Sequence, residues 1–269
     1  IAEYEQLLLL EPKRTISFEV SLKIGAAHLM LGEVERAFET LSAVKKRAVD
    51  EKERSKLSIS IADCQRALGR TEEALQSLRE VTERVPVSEE AQEAFYKIGL
   101  IYDEDLANLD EARKSYDRVR EAGPSSEFAQ KALFKSSSIG KLAEYRKSLS
   151  GGEESELAKT QFLVAELYLL DLGKPEQAVE EYEKVLSNFP TSDYAPKSAF
   201  AIAWVYENIQ GDTARAVAAY ERVMALYPET PYARASQDAV ARLRPPIDTL
   251  STEPEGQTSP QTGTSGSNE

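Results

Sequence analysis

The chain has 269 residues, 46 acidic against 33 basic, one histidine, one cysteine and a formal net charge of −13. No apolar run reaches the roughly 18 residues of a bilayer span, and an acidic balance argues against a general nucleic-acid binder, which needs a basic stripe. His28 and Cys64, each alone of its kind, exclude an intrachain disulfide, a multi-cysteine zinc cluster, and the triads and metal sites that use several imidazoles. The 41% of hydrophobic residues is enough for a core, so the chain as a whole is not a disordered polyelectrolyte.

Two signatures alternate along it. Ile1 to Pro12, with Tyr4 and Leu7, reads as the second kind without the first, so the chain is expected to begin inside a repeat. The first kind is an apolar residue, a small residue, two others and usually a tyrosine: Ile24-Gly25-x-x-His28, Ile61-Ala62-x-x-Gln65, Ile98-Gly99-x-x-Tyr102, Val164-Ala165-x-x-Tyr168 and Ile202-Ala203-x-x-Tyr206. The second kind follows each as Ala-x-x-x-(Tyr/Leu)-x-x-Val, marked by Ala37, Ala74, Ala112, Ala178 and Ala216 and usually closed by a proline (Pro86, Pro124, Pro190, Pro228).

Both have helical spacing, so each pair predicts a helical hairpin in which the small residues permit close approach. Gly32, Gly69, Gly173 and Gly211 stand where a left-handed residue ends the first helix. After each proline, Ser88, Ser126, Ser192 or Thr230 predicts the N-cap of the next first helix. Between Pro124 and Glu153 the pattern lapses, and residues about 127–149 predict one longer helix, kinked around Ser136–Gly140, with Phe128, Ala132, Leu133, Ile139, Leu142 and Ala143 on its apolar face. Residues about 231–243 predict a capping helix stopped by Pro245 and Pro246. From 247 to 269, 17 of 23 residues are Ser, Thr, Gly, Pro, Gln or Asn, so residues 244–269 are expected to be a disordered acidic tail.

With these residues in view the chain resembles the tetratricopeptide-repeat family, whose first helix carries Leu-Gly-x-x-Tyr and whose second carries Ala-x-x-x-Phe before a proline. The resemblance spans about residues 1–243 and implies an all-α, right-handed superhelical solenoid. Marker alanines stand 37, 38, 66 and 38 residues apart, against about 34 in the family, and three copies carry an extra residue between helices. That lengthened form, with Pro-x-Ser/Thr-x-aromatic-Ala boundaries such as Pro190 to Ala195, looks like bacterial cell-envelope members, among them the lipoprotein of the outer-membrane barrel-assembly machine and the Tol-Pal coordinator.

No catalytic residue, metal or cofactor is expected. Gly140-Lys141 lacks the rest of a phosphate loop, Cys64 reads as a buried inert thiol, His28 as a packing residue in a tyrosine position, and Glu72-Glu73 and Glu180-Glu181 as solvated surface. A solenoid presents a concave surface built from first helices. Family geometry places there the residues three before, one after and four after the small residue: Tyr96, Leu100 and Asp103; Phe162, Glu166 and Leu169; Phe200, Trp204 and Glu207. Leu22, Ala26, Ile59 and Asp63 are not the Lys, Asn and Arg with which relatives grip acidic chaperone C-termini. An apolar groove rimmed by acids implies a protein or peptide partner instead, an amphipathic helix or extended segment. The reading is a non-catalytic scaffold at the periplasmic face of the outer membrane, with any membrane anchor upstream. A cytoplasmic adaptor, and the repeat arm of a larger enzyme, are the alternatives.

Overall fold

The computed structural model describes residues 1–9, 14–48 and 50–244; apart from Arg244, the expected tail lies outside the described residues. They form thirteen α-helices and no strand. In chain order these are α1 (Ala2–Leu9), α2 (Arg14–Met30), α3 (Val34–Lys45), α4 (Glu51–Ala67), α5 (Thr71–Arg84), α6 (Glu89–Leu100), α7 (Leu109–Ala122), α8 (Glu127–Ser148), α9 (Glu154–Glu166), α10 (Pro175–Asn188), α11 (Tyr194–Asn208), α12 (Thr213–Leu226) and α13 (Pro231–Leu243). Each first-kind signature falls on α2, α4, α6, α9 or α11 and its second-kind partner on α3, α5, α7, α10 or α12, which gives all-helical tetratricopeptide-type hairpins. Two compact units divide between Ala195 and Pro196, inside α11. No helix among the described residues is long and apolar enough to cross a membrane.

The small residues act by close approach. A Cβ on Gly25 would meet Leu41 at 2.6 Å, and one on Gly99 would meet the Tyr116 ring at 2.4 Å. The marker alanines Ala37, Ala74, Ala112, Ala178 and Ala216 are fully buried. In the first unit, clusters around Leu41 and Leu57 and around Leu75, Leu78 and Ile98 join successive hairpins; in the second, Ala203, Ala216, Tyr220 and Ala239 form the core under Phe200 and Leu243.

The extra residue of the lengthened copies has a definite place. In the short turns Glu33 N–H donates to the His28 carbonyl at 2.9 Å and Arg70 N–H to that of Gln65 at 2.8 Å. In the long ones the same bond spans one more residue, from Asn108, Lys174 and Asp212 to the carbonyls of Tyr102, Tyr168 and Tyr206 at 2.7, 2.8 and 2.9 Å. The surplus is taken up as a π-helical turn at Ile101–Asp105 and Leu167–Asp171. The left-handed residue that closes each turn is Gly173 (φ +67°) or Gly211 (φ +66°), but in the third hairpin it is Ala107 (φ +50°).

Capping follows the sequence. Ser88, Ser126 and Thr230 accept from the amides of Ala91, Ala129 and Ala233. The hydroxyls of Ser88 and Thr230 also donate back to the carbonyls of Val85 and Tyr227, tying each cap to the preceding helix, and Ser192 Oγ donates to the Phe189 carbonyl.

The helix α8 has the expected extent but a different buried face. It is one 22-residue helix through Ser136–Gly140, with Ala132, Ile139 and Leu142 buried. Leu133 and Ala143, however, are exposed, and Ser136 and Ser138 take the buried places. Hydrogen bonding makes that burial tolerable: Ser136 Oγ donates to Asp117 at 2.5 Å and Ser138 Oγ to Asp171 at 2.8 Å, one neighbour on each side.

Candidate protein-binding surface

Three first helices set an aromatic three residues before the small residue, and each ring lies between two others. Tyr96 sits 5.7 Å from Tyr116 and 5.8 Å from Phe128, and Phe162 sits 5.5 Å from Tyr182 and 5.4 Å from Tyr194. In the second unit Phe200 sits 5.5 Å from Tyr220 and 5.7 Å from Tyr232. One neighbour comes from the hairpin's own second helix and the other from the start of the following helix, all at the tilted geometry that ring quadrupoles favour. Tyr96, Phe162 and Phe200 are half-buried, each packed between its own second helix and the start of the following helix.

One residue past the small residue, Leu100 and Glu166 are half-buried, whereas Trp204 is 41% exposed. Four residues past it stand Asp103, fully buried, and Leu169 and Glu207, half-buried. Acids on this face are acceptors for the second-helix tyrosines: Tyr116 Oη donates to Asp103 at 3.4 Å, Tyr182 to Glu166 at 2.8 Å and Tyr220 to Glu207 at 2.8 Å. In the middle case Leu169 holds the usual acceptor position and the carboxylate has moved one turn earlier. Burial, reinforced by these carboxylates, pushes all three phenols well above the ordinary tyrosine range. Glu207 also pairs with Arg242, which holds its carboxyl below the usual range.

Asp103 anchors a charged knot. Lys174 Nζ lies 2.8 Å from one carboxylate oxygen and donates to the Asp103 carbonyl at 2.5 Å; Lys135 Nζ lies 3.3 Å from the other oxygen. The lysines come from the N-cap of α10 and from α8, so one carboxylate at the π turn gathers three elements. Between α4 and α6, Lys97 reaches Asp63 at 2.7 Å, and Arg66 grips Asp105 at 2.6 Å and Glu104 at 2.7 Å, which uses up the charge at those first-helix positions. Glu93, facing Lys97 and Asp63, has its carboxyl raised by burial.

The single histidine and cysteine behave as packing residues. His28 is buried with Nδ1 2.6 Å from Glu33, and its hydrogen bond lowers the Glu33 carboxyl. Cys64 is fully buried and its thiol is pushed up to about 11 by burial and Asp63, far from a nucleophile.

Of the expected groove residues, the structure brings Tyr96 and Leu100 together on α6, and Phe162, Glu166 and Leu169 on α9 and its π turn. The helix α8 packs against both α6 and α9. Phe200, Trp204 and Glu207 share one helical face in the second unit. Sequence reasoning missed the knot at Asp103 and the ring partners Tyr116, Tyr182 and Tyr220 as acid-binding groups. The recurring tyrosine in the second signature was the available signal for the latter; Lys135 and Lys174 carried none.

A tetratricopeptide-repeat model matches residues 60–127, and a second model of the same description matches 159–192 and 197–230, together half of the chain. The chain belongs to the tetratricopeptide-repeat family, a fold that typically serves as a non-catalytic platform for protein–protein interaction. Among solved structures it is similar to a tetratricopeptide repeat protein from Parabacteroides merdae ATCC 43184, at 18% identity over 89% of each chain with a TM-score of 0.45. It is also similar to PilW, a widely conserved type IV pilus biogenesis factor, at 13% identity over 82% of this chain and 98% of that one (TM-score 0.44). A third is the TPR2AB-domain:pHSP90 complex of yeast Sti1, at 16% identity over 84% and 83% (TM-score 0.41). No curated protein matches the chain significantly.

Proposed function

We propose that the chain is a non-catalytic scaffold that binds a protein partner, an amphipathic helix or extended segment, along the first-helix face. The observation that carries this reading is Trp204. It is 41% exposed at a position expected to face the groove, while Phe200 one turn earlier packs between Tyr220 and Tyr232. A large aromatic left in solvent on a rigid helix is the residue type that anchors interfaces, typically at about 2 kcal/mol or more. Leu100 and Leu169 extend the apolar character in the first unit. Lys97, Arg66, Lys135 and Lys174 are already paired with Asp63, Asp105 and Asp103, so these cations are not free to grip an acidic terminus.

The location we propose is the periplasmic face of the bacterial outer membrane, supported by the Pro-x-Ser/Thr-x-aromatic-Ala boundaries. Fractionation of the native product tests it, and recovery in the cytoplasm would refute it. For the surface, Trp204→Ala is compared with the parent chain in capture from envelope extract and in thermal melting. Capture should fall more than tenfold with the melting temperature nearly unchanged. A destabilised variant that still captures the same partner when folded would overturn the assignment.

A further inference from the structure

The helix α8 is built as a first helix. Its cap Ser126 stands eleven residues before Ser137, as Ser88 stands before Gly99 and Ser192 before Ala203, so Phe134 is the counterpart of Tyr96 and Phe200. The first helices α2, α4, α6, α9 and α11 are each followed by a second helix that covers one side of them, whereas α13, capped by Thr230 in the same way, is the last helix among the described residues. The Gly99 and Asp103 positions of α6 define that side, since Gly99 faces the Tyr116 ring and Asp103 accepts from its hydroxyl. The corresponding residues of α6 and its π turn (Phe95, Gly99, Asp103), of α9 and its π turn (Gln161, Ala165, Leu169) and of α11 (Ala199, Ala203, Glu207) are all buried or half-buried. In α8 they are Leu133, Ser137 and Lys141, and all three are exposed. Beside them Phe134 is 52% exposed and has no ring partner among the described residues.

The chain passes from α8 through residues 149–153 directly into α9, which is the first helix of the next hairpin with α10. The Ser138–Asp171 hydrogen bond sets the end of α9 against a different side of α8. The second-helix side of α8 is thus left open, with Leu133 and Phe134 on it.

We infer that this side of α8 docks an acidic amphipathic helix of a partner protein, which completes the hairpin in trans. Charge selects the occupant. Residues 109–148 carry nine Lys and Arg against six Asp and Glu, in a chain of net charge −13. Arg113, whose guanidinium lies against Gly140, and Lys141 pair with no carboxylate among the described residues. Lys141 also stands where the α6 and α11 hairpins have an acid, Asp103 or Glu207, that accepts from a second-helix tyrosine, so the matching position of the partner helix is a carboxylate. A second copy of so acidic a chain is repelled, which favours a different protein. Phe134 and Lys141 lie in the first unit, at the positions that Tyr96 and Asp103 hold in their hairpin, and Trp204 belongs to the second unit.

The probe is a fluorescent peptide with the sequence Pro175–Asn188, a resident second helix with four Glu and one Lys, carrying Tyr182→Glu and held helical by a side-chain lactam on its outward face. It should bind the full chain saturably. Phe134→Ser and Lys141→Glu, both at exposed positions, should each weaken binding at least tenfold with the far-ultraviolet circular dichroism unchanged. The Lys141→Glu chain should regain binding to the peptide carrying Tyr182→Lys, and Trp204→Ala should have no effect. Absence of binding, binding indifferent to both α8 variants, or binding lost in Trp204→Ala would overturn the inference. So would self-association of the chain that Phe134→Ser abolishes, since the occupant would then be a second copy.

Discussion

Replacing Asp103 by alanine removes the carboxylate at the centre of the knot and leaves two ammonium groups facing each other. Deleting one partner of a buried ion pair costs about 3–5 kcal/mol, because the remaining charge is uncompensated. Here the Lys135 and Lys174 side chains keep 17% and 14% exposure and can recover some hydration, while Asp103 itself has none. The lower end, about 3 kcal/mol, is therefore expected for Asp103→Ala. At about 2–4 °C per kcal/mol for a unit of this size, the transition of the first unit should fall by about 6–12 °C in a thermal melt followed by circular dichroism. Exchanging all three residues for apolar ones of similar length, Asp103→Leu with Lys135→Met and Lys174→Met, should recover most of the loss, since no charge is then stranded. A single Asp103→Ala variant within about 2 °C of the parent would show that water already screens the knot and that the three elements are held by apolar packing alone.

Gly99→Ala drives a Cβ to within 2.4 Å of the Tyr116 ring, and overpacking of that kind should cost about 1–3 kcal/mol; hydrogen exchange should show the loss spreading to the adjoining hairpins, and undiminished protection in α6 and α7 would count against it. Ala107→Gly relieves a left-handed alanine at φ +50°, a conformation that costs about 1–2 kcal/mol, partly offset by the extra freedom of glycine in the unfolded chain, so the melting temperature should rise by up to about 3 °C. Glu207→Gln tests acid sensitivity of the second unit. Its folded carboxyl is held low by Arg242 and Tyr220, so its contribution is present above the ordinary glutamate range and is lost as pH falls through the lowered value. The fluorescence of Trp204, the chain's single tryptophan, should report a flatter acid limb in the variant; an unchanged limb would assign it to other carboxylates.

The repeat architecture was legible in the sequence because each hairpin is local. A small residue opposite an alanine or tyrosine, a glycine at the turn and a hydroxyl after proline act within about 40 residues, and each leaves its mark at helical spacing. The hairpin boundaries and the caps of Ser88, Ser126 and Thr230 follow from that alone. The placement of the extra residue did not, because a π turn at Ile101–Asp105 and a longer loop carry the same residues. Nor did the roles of the acids. Asp103, Glu166 and Glu207 share a groove-facing pattern, and whether each meets solvent, a tyrosine or a lysine depends on groups from 13 to 71 residues away. For α8 the sequence showed a helix with apolar residues, but two serines there outcompete Leu133 for burial. They find carboxylates on both neighbours, and no second helix follows to cover the leucine. Local periodicity writes the hairpin into the sequence; which polar groups are satisfied, and which apolar side is left uncovered, is decided when distant helices meet.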